Sequence, residues 1–546
     1  MKKKFSLFLV LLLALGTVLT ACSGSKSGDG GKNGDNAKKD QVLNLVETQE
    51  IPTMDSALAT DVVSFTALNN VMEGLYRLGK NDEPVEGIAE GEPQVSKDGK
   101  TWTFKLRDAK WSNGDPVTAG DFVYAWRKVV DPKTASQYAY IMYDIKNAQA
   151  INEGKMKPEQ LGVKALDDKT LQVQLETPIP YFKNLLTFGT FLPQDEKFVK
   201  EQGKNYGLEA DTTVYNGPFV LSSWKHDDKW QMKKNPNYWD KDSVKLKEVN
   251  VKVIKDTQTG VNLYESNATD RVNLDSEFVD KYKNDKDLKY EKEATVFFLR
   301  FNEQNPVLKN VDARKAISMA FDKNQFTKVV LNNGSIPADY FVPAEFVKGP
   351  NGKYFRDENG NFNTYNVKEA KKYWAKAKKA LGKDKITLEL LNYDDDLSRK
   401  AGEYLKEQLE KNLKGLTVNI KQQPFKQKLD LEAKMNYDFS LAGWGPDYAD
   451  PMTFIDMFVT DGGNNEMHYS NPEYDKLVQE AKTTYALQPE KRWEAMLKAE
   501  KILLDQDAAI APVYQRGRAV LQRPYVKGLL KHKVGPELSY KWVSIQ

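Results

Sequence analysis

Two periods of apolar spacing alternate along this chain. Period-two stretches, which place one face of a strand on a core, occur at VLNLVET (42–48), at Thr101 to Leu106 and at TLQVQLE (170–176). Three more, YNGPFVLSSW, KWQMKKNPNYW and KEVNVKVI (215–254), are punctuated by Gly and Pro and predict a β-meander. Helical spacing appears after Pro52, in a helix ending near Gly74. It appears again from Ala119 to Val130, where Phe122, Ala125, Trp126 and Val129 share a face and Thr118 is placed to cap the N-terminus. Beyond Phe301 the texture changes. Amphipathic helices at VDARKAISMAFDKNQFTKVVL, VKEAKKYWAKAKKAL, DLSRKAGEYLKEQLEKNL and PEYDKLVQEAKTTYAL alternate with strands at ITLELLNY and LTVNIKQQ. That alternation predicts βαβ units, and APVYQRGRAVLQ (511–522) returns to strand. No repeat of fixed period is present.

The first residues follow neither period. Lys2, Lys3 and Lys4 precede the apolar run FSLFLVLLLALGTVLT, the layout of an export signal. The ending Leu19-Thr20-Ala21-Cys22 resembles a lipobox, which implies cleavage after residue 21 and a diacylglycerol on Cys22. Cys22 is the only cysteine of 546 residues, so no internal disulfide is available to the fold. Residues 22–40 are almost wholly Gly, Ser, Lys, Asp and Asn, too polar to bury a core, and read as a flexible tether. The remaining body is long enough for two or three domains. No later segment approaches a membrane span in apolar length.

The net charge of +3 falls to zero once the three leader lysines are removed. This argues against nucleic acid as a partner, because phosphate binding needs a basic face. Enzyme motifs are missing. His226, His468 and His532 make no HExxH pair, and neither a G-x-S-x-G elbow nor a P-loop is present. Asp394, Asp395 and Asp396 read as helix-capping charge rather than a metal site, and RDENGNF (356–362) reads as a hairpin turn rather than a calcium loop. No metal or cofactor is expected. A paired-carboxylate hydrolase stays open as an alternative, because any two of the 77 acids can converge in a fold. The 10 Trp, 26 Tyr and 24 Phe suit either core packing or an aromatic-lined ligand cavity.

Four blocks together carry a resemblance: SKDGKTWTFKLRDAKWSNGDPVTAGDFVYAWRKVVDP, YNGPFVLSSWKHDDKWQMKKNPNYWD, DARKAISMAFDK and GWGPDYADP. In order and along essentially the whole chain, they resemble the oligopeptide- and dipeptide-binding lipoproteins of bacterial ABC importers (family 5 extracytoplasmic solute-binding proteins). The resemblance implies an α/β fold of the periplasmic-binding-protein type, with two lobes around a cleft and an extra domain. Domain I would comprise 41–76, 215–302 and 512–546, domain II, the extra domain, 77–214 and domain III 303–511, with hinge crossings near Phe301 and Pro512. It implies a non-enzymatic, monomeric receptor that delivers peptides to an ABC permease and is lipid-anchored outside the membrane of a Gram-positive cell. A receptor for one signalling or cell-wall peptide is the nearest alternative.

The resemblance also assigns site residues. Gly443-Trp444-Gly445 would pair with the peptide backbone on one side and Thr60-Asp61-Val62 on the other, Asp447 would take the peptide α-ammonium, and Phe425 would supply an aromatic pocket wall. Where some relatives place a carboxylate-binding arginine and histidine, this chain has Leu441 and Ser398. Arg399 is then the candidate carboxylate contact, or the C-terminus is left unread.

Overall fold

Two of the period-two segments, at Thr101–Lys105 and Thr170–Gln174, belong to a four-stranded sheet, and the others assemble into one mixed sheet. The computed structural model describes residues 40–179 and 181–546, so the leader, Cys22 and most of the tether lie outside the described residues. The sheet strands are β1 (Val42–Glu47), β2 (Phe219–Lys225), β3 (Lys229–Lys234), β4 (Glu248–Val253), β5 (Arg271–Leu274), β6 (Leu288–Phe301), β7 (Ile386–Tyr393), β8 (Leu416–Gln423), β9 (Phe439–Trp444) and β10 (Ile510–Gln522). Among the described residues their order is β8-β7-β9-β6-β10-β5-β1-β4-β3-β2, with Ile336–Pro337 pairing off β10. The 215–254 meander is antiparallel throughout, as its Gly/Pro punctuation predicts. β7 and β8 are parallel, as a strand–helix–strand unit requires.

Two strands are much longer than the rest. β6 has 14 residues and β10 has 13, and they run antiparallel with register shifts between Lys292 and Val296 and between Phe297 and Phe298. Phe298 stands opposite Pro512, so the expected crossings near Phe301 and Pro512 fall on this irregular ladder. Such bulges bend a strand and increase its twist.

The helices follow from local chemistry. In α1 (Val62–Val71) Asp61 is the N-cap, accepting from Ser64 N at 2.8 Å. In α2 (Ala119–Val130) Thr118 and Asp121 form a capping box, and Phe122, Ala125, Trp126 and Val129 are buried against a separate four-stranded sheet and its surroundings. Asp256 caps α3 (Thr257–Glu265), and Asp395 caps α4 (Asp396–Asn412) by accepting from Ser398 N at 3.0 Å. In α5 (Phe425–Ala433) the N-cap is Pro424, which offers no side-chain oxygen. α4 joins β7 to β8 and buries Ala401, Leu405 and Leu409 in the same cluster as Leu388, Leu390 and Val418.

One local reading is corrected. Residues 356–362 do not form a hairpin turn; Phe355–Asn359 is a short helix ended by Gly360 at φ +68°. The cause is non-local. Arg356 Nη2 donates to Glu500 Oε1 at 2.6 Å, and Glu500, with no exposed surface, also accepts from Asn359 Nδ2 and from the Phe341 and Val342 amides. Removing one partner of a buried ion pair strands the other, at a cost of about 3–5 kcal/mol, whereas an exposed pair contributes well under about 1 kcal/mol. Arg356→Met should therefore lower the thermal midpoint by several degrees in differential scanning calorimetry, and Lys372→Met, which breaks the exposed pair with Glu369, should leave it in place.

Candidate functional site

β9 is only half paired. Along Phe439–Trp444 it is matched residue for residue with β6, but its other side meets β7 only at Phe439 and Ser440. Among the described residues Leu441 to Trp444 therefore present a strand edge without a strand partner, and Ala442, Gly443, Trp444 and Gly445 border a cavity of about 370 Å³. That volume lies in the range of ligand sites, roughly 300–1,000 Å³. Thr60, Asp61 and Val62 border the same cavity, with Asp61 in extended conformation (φ −131°, ψ 156°). Phe425 also borders it, its ring 5.8 Å from that of Tyr393.

The two glycines have a specific packing role. A Cβ on Gly443 would stand 2.8 Å from the Phe297 ring, and one on Gly445 would stand 3.0 Å from Thr295 Oγ1. Phe297 is itself stacked on Tyr514 at 4.8 Å, so the ring has little room to yield. Trp444 is both core and cavity wall: its Nε1 donates to Thr453 O at 2.9 Å and its ring lies nearly parallel to Tyr138 at 6.2 Å.

Asp447 is buried, borders the cavity and has no basic side chain in ion-pair contact among the described residues. Tyr138 Oη donates to its Oδ1 at 3.1 Å, and its amide donates to Thr453 Oγ1 at 2.9 Å. Burial pushes the Asp447 carboxyl well above the ordinary carboxylate range, only partly opposed by those hydroxyls. Asp61 is a second buried carboxyl on the same wall. Its Oδ1 caps α1, its Oδ2 has no partner, and burial raises it to about 6.

Sequence reasoning missed the residues that cover this wall. Tyr138 touches Asp447, Trp444 and Phe65. Gln137 Nε2 donates to Glu466 Oε1 at 3.1 Å, Asn464 Nδ2 donates to Tyr140 Oη at 2.9 Å, and Tyr181 stacks on Tyr448 at 5.6 Å. Gln137, Tyr138 and Tyr140 lie in a short 3₁₀ stretch whose sequence shows neither period, so no pattern marked them. Arg399 is the site candidate that stands apart. It does not border the cavity, is half exposed and pairs with Asp396.

One Asp-His-Ser chain has the order of a hydrolytic triad. Asp82 Oδ1, His532 Nδ1, His532 Nε2 and Ser539 Oγ form a chain with contacts of 2.8 and 2.7 Å. Ser539, however, has no exposed surface and accepts from Asn69 Nδ2 at 2.8 Å, so its oxygen faces neighbouring protein rather than a substrate. Among the described residues no cluster of His, Cys, Asp or Glu is arranged to hold a metal ion.

Comparison with known proteins agrees with this architecture. Dipeptide-binding protein DppE of Bacillus subtilis is 37% identical over 538 residues, 97% of each chain. The substrate-binding domain of an oligopeptide ABC transporter from Bacillus anthracis is 51% identical, with a TM-score of 0.92 over 93% of this chain and 99% of that one. The pheromone receptor PrgZ, whose structure defines a mode of peptide binding, is 39% identical, with a TM-score of 0.89 over 93% of this chain and all of that one. Two structures of the Escherichia coli murein tripeptide-binding protein MppA, each 30% identical, fit to different extents. One superposes with a TM-score of 0.83 and the unliganded open form with only 0.59. The model of the bacterial extracellular solute-binding proteins, family 5, matches residues 83–466. With relatives of this identity matched nearly end to end, the chain belongs to that family of solute-binding proteins, whose peptide-binding members serve ABC importers.

Proposed function

We propose that the chain is a lipid-anchored receptor that captures peptides by their backbone and α-amine and presents them to an ABC permease. The free edge of β9 inside the cavity is the observation that carries this reading. An incoming extended peptide would complete the ladder there, and main-chain hydrogen bonds are alike for every sequence, so they hold a peptide without reading it. Asp447 supplies the polarity. A buried carboxyl with no cation of its own is a site for an ammonium, and a charge-assisted contact in a closed cavity is worth far more than one on the surface. Thr60-Asp61-Val62 would bound the peptide's other side, and Phe425 with Tyr393 would wall a side-chain pocket.

Three domains with the boundaries expected above, hinged on the irregular β6–β10 ladder, account for closure. The contacts of Tyr138, Gln137 and Tyr181 then join domain II to domain III, and the poorer fit to the open form of MppA supports a closed arrangement here. No catalytic step is assigned. A receptor for one dedicated peptide is the second reading, supported by the likeness to PrgZ. Mass spectrometry of copurifying ligand separates the two, a mixed population supporting the first and a single species the second.

Asp447→Asn should weaken binding of a free-amine peptide by about a hundredfold in calorimetry, the usual scale for losing one member of a buried charge pair. Equal affinity for mutant and wild type would remove the clamp assignment. The same substitution should stabilise the empty protein. Because the folded carboxyl titrates above its unfolded value, the native state binds the extra proton, and stability falls as pH rises from near 4 towards the raised value. At neutral pH the Asn variant is then more stable by about 1–3 kcal/mol, and the gap in thermal midpoint closes as pH approaches 4. Cys22→Ser should move the protein from the membrane fraction to the medium if the anchor is the lipid on that thiol.

A further inference from the structure

The cavity treats the two ends of a peptide unequally. Asp447 has no cation, but the cations on the wall already have carboxylates. Arg271 is paired with Glu291 at 2.8 Å. Arg300 is paired with Glu466 and Arg516 with Glu293. Glu293 also takes Arg518 at 2.8 Å and Lys531 at 2.5 Å, and these surrounding cations hold its carboxyl well below the usual range. Lys255 is paired with Asp394 at 2.8 Å, and Asp256, Asp395 and Asp396 are close by in the chain, so that end of the cavity is acidic on balance.

Among the described residues Lys533 is the one cavity-bordering lysine or arginine whose side chain has no acidic partner in contact, its amide alone donating to Asp82 Oδ2 at 3.2 Å, and it is at the wrong end. It lies on the loop whose Gly535 amide donates to Pro446 O at 2.8 Å, next to Asp447, where the ammonium belongs. Helix N-termini are the other common anion sites. Those of α1, α3 and α4 border the cavity, and each is already occupied by an aspartate: Asp61, Asp256 and Asp395.

We infer that this receptor, taken as the peptide binder proposed above, reads the amine end of its ligand and leaves the carboxylate end unread, so that peptides with a neutral, blocked C-terminus are ligands at least as good as free acids. A free terminal carboxylate entering this cavity gives up water without meeting an unpaired cation, and that exchange is unfavourable. The departures at Leu441 and Ser398 have the same sense. Among the described residues neither is replaced by a free cation from elsewhere in the fold, because Arg399 does not border the cavity and is already paired with Asp396.

The test uses the full extracytoplasmic chain, stripped of copurified ligand, and alanine peptides from three to six residues long. Each is titrated calorimetrically in free, N-acetylated and C-amidated forms. The expected result is that acetylation weakens binding by about a hundredfold, whereas amidation leaves the dissociation constant within about threefold or tightens it. Weakening of tenfold or more on amidation would overturn the inference and point to a held carboxylate, for which the uncapped N-terminus of α5 at Phe425 is the remaining place. If the free peptides of every length fail to bind, the peptide reading itself falls and the inference with it. Binding of free peptides with tolerance of amidation supports both.

Discussion

A strand edge turned into a protein's interior must find partners for its amides and carbonyls, because water is scarce there and an unpaired backbone group is costly. Leu441 to Trp444 pose that demand, since β7 stops pairing with β9 at Ser440. Much of the surrounding structure can be read as an accommodation to it. Gly443 leaves its Cβ position to Phe297, which lets the neighbouring strand keep a large ring beneath the edge. Trp444 is pinned by Thr453 and covered by Tyr138, so the edge is held straight from both sides. The proposed ligand is the missing strand, and its charged end falls next to Asp447, a buried carboxyl with no cation in contact among the described residues.

How much of this the sequence discloses depends on the range of the interactions involved. The limits of α2 are readable from Thr118 to Val130 because the capping box and the apolar stripe are all local. Asp394 to Asp396 are readable as capping charge for the same reason, and Asp395 does cap α4. The short helix at Phe355–Asn359 is not readable, because Glu500, the group that fixes it, is 144 residues away. Tyr138 is not readable either. It sits in an aperiodic stretch, and only the fold brings it to Asp447, 309 residues on. The glycines at 443 and 445 were visible as glycines, but their packing partners, Phe297 and Thr295, belong to a neighbouring strand that no local pattern names.

The cations of the cavity wall follow one rule, and Lys533 is the exception among the described residues. Arginines and lysines on the cavity wall are matched to acids at contact distance, which removes field that would otherwise select among side chains. Buried pairs of this kind add little net stability, because the cost of removing both charges from water nearly offsets their attraction. What they do provide is compensation of the cations. A wall whose cations are largely satisfied in this way offers little to an entering anion, whereas the buried carboxyl at Asp447 stays open to a cation.

Tyr138 gives this arrangement a further property. Its hydroxyl is bonded to the carboxyl that the ammonium would use, and its ring covers the tryptophan at the end of the open edge. On the proposed reading, the group that senses occupancy and the group that joins domain II to domain III over the cleft are one side chain. An empty cleft that shuts must then enclose a lone acid, while a filled one encloses a neutral pair. Closure thereby becomes a report on content, and a transporter that recognises only the shut form would seldom be answered by a vacant carrier.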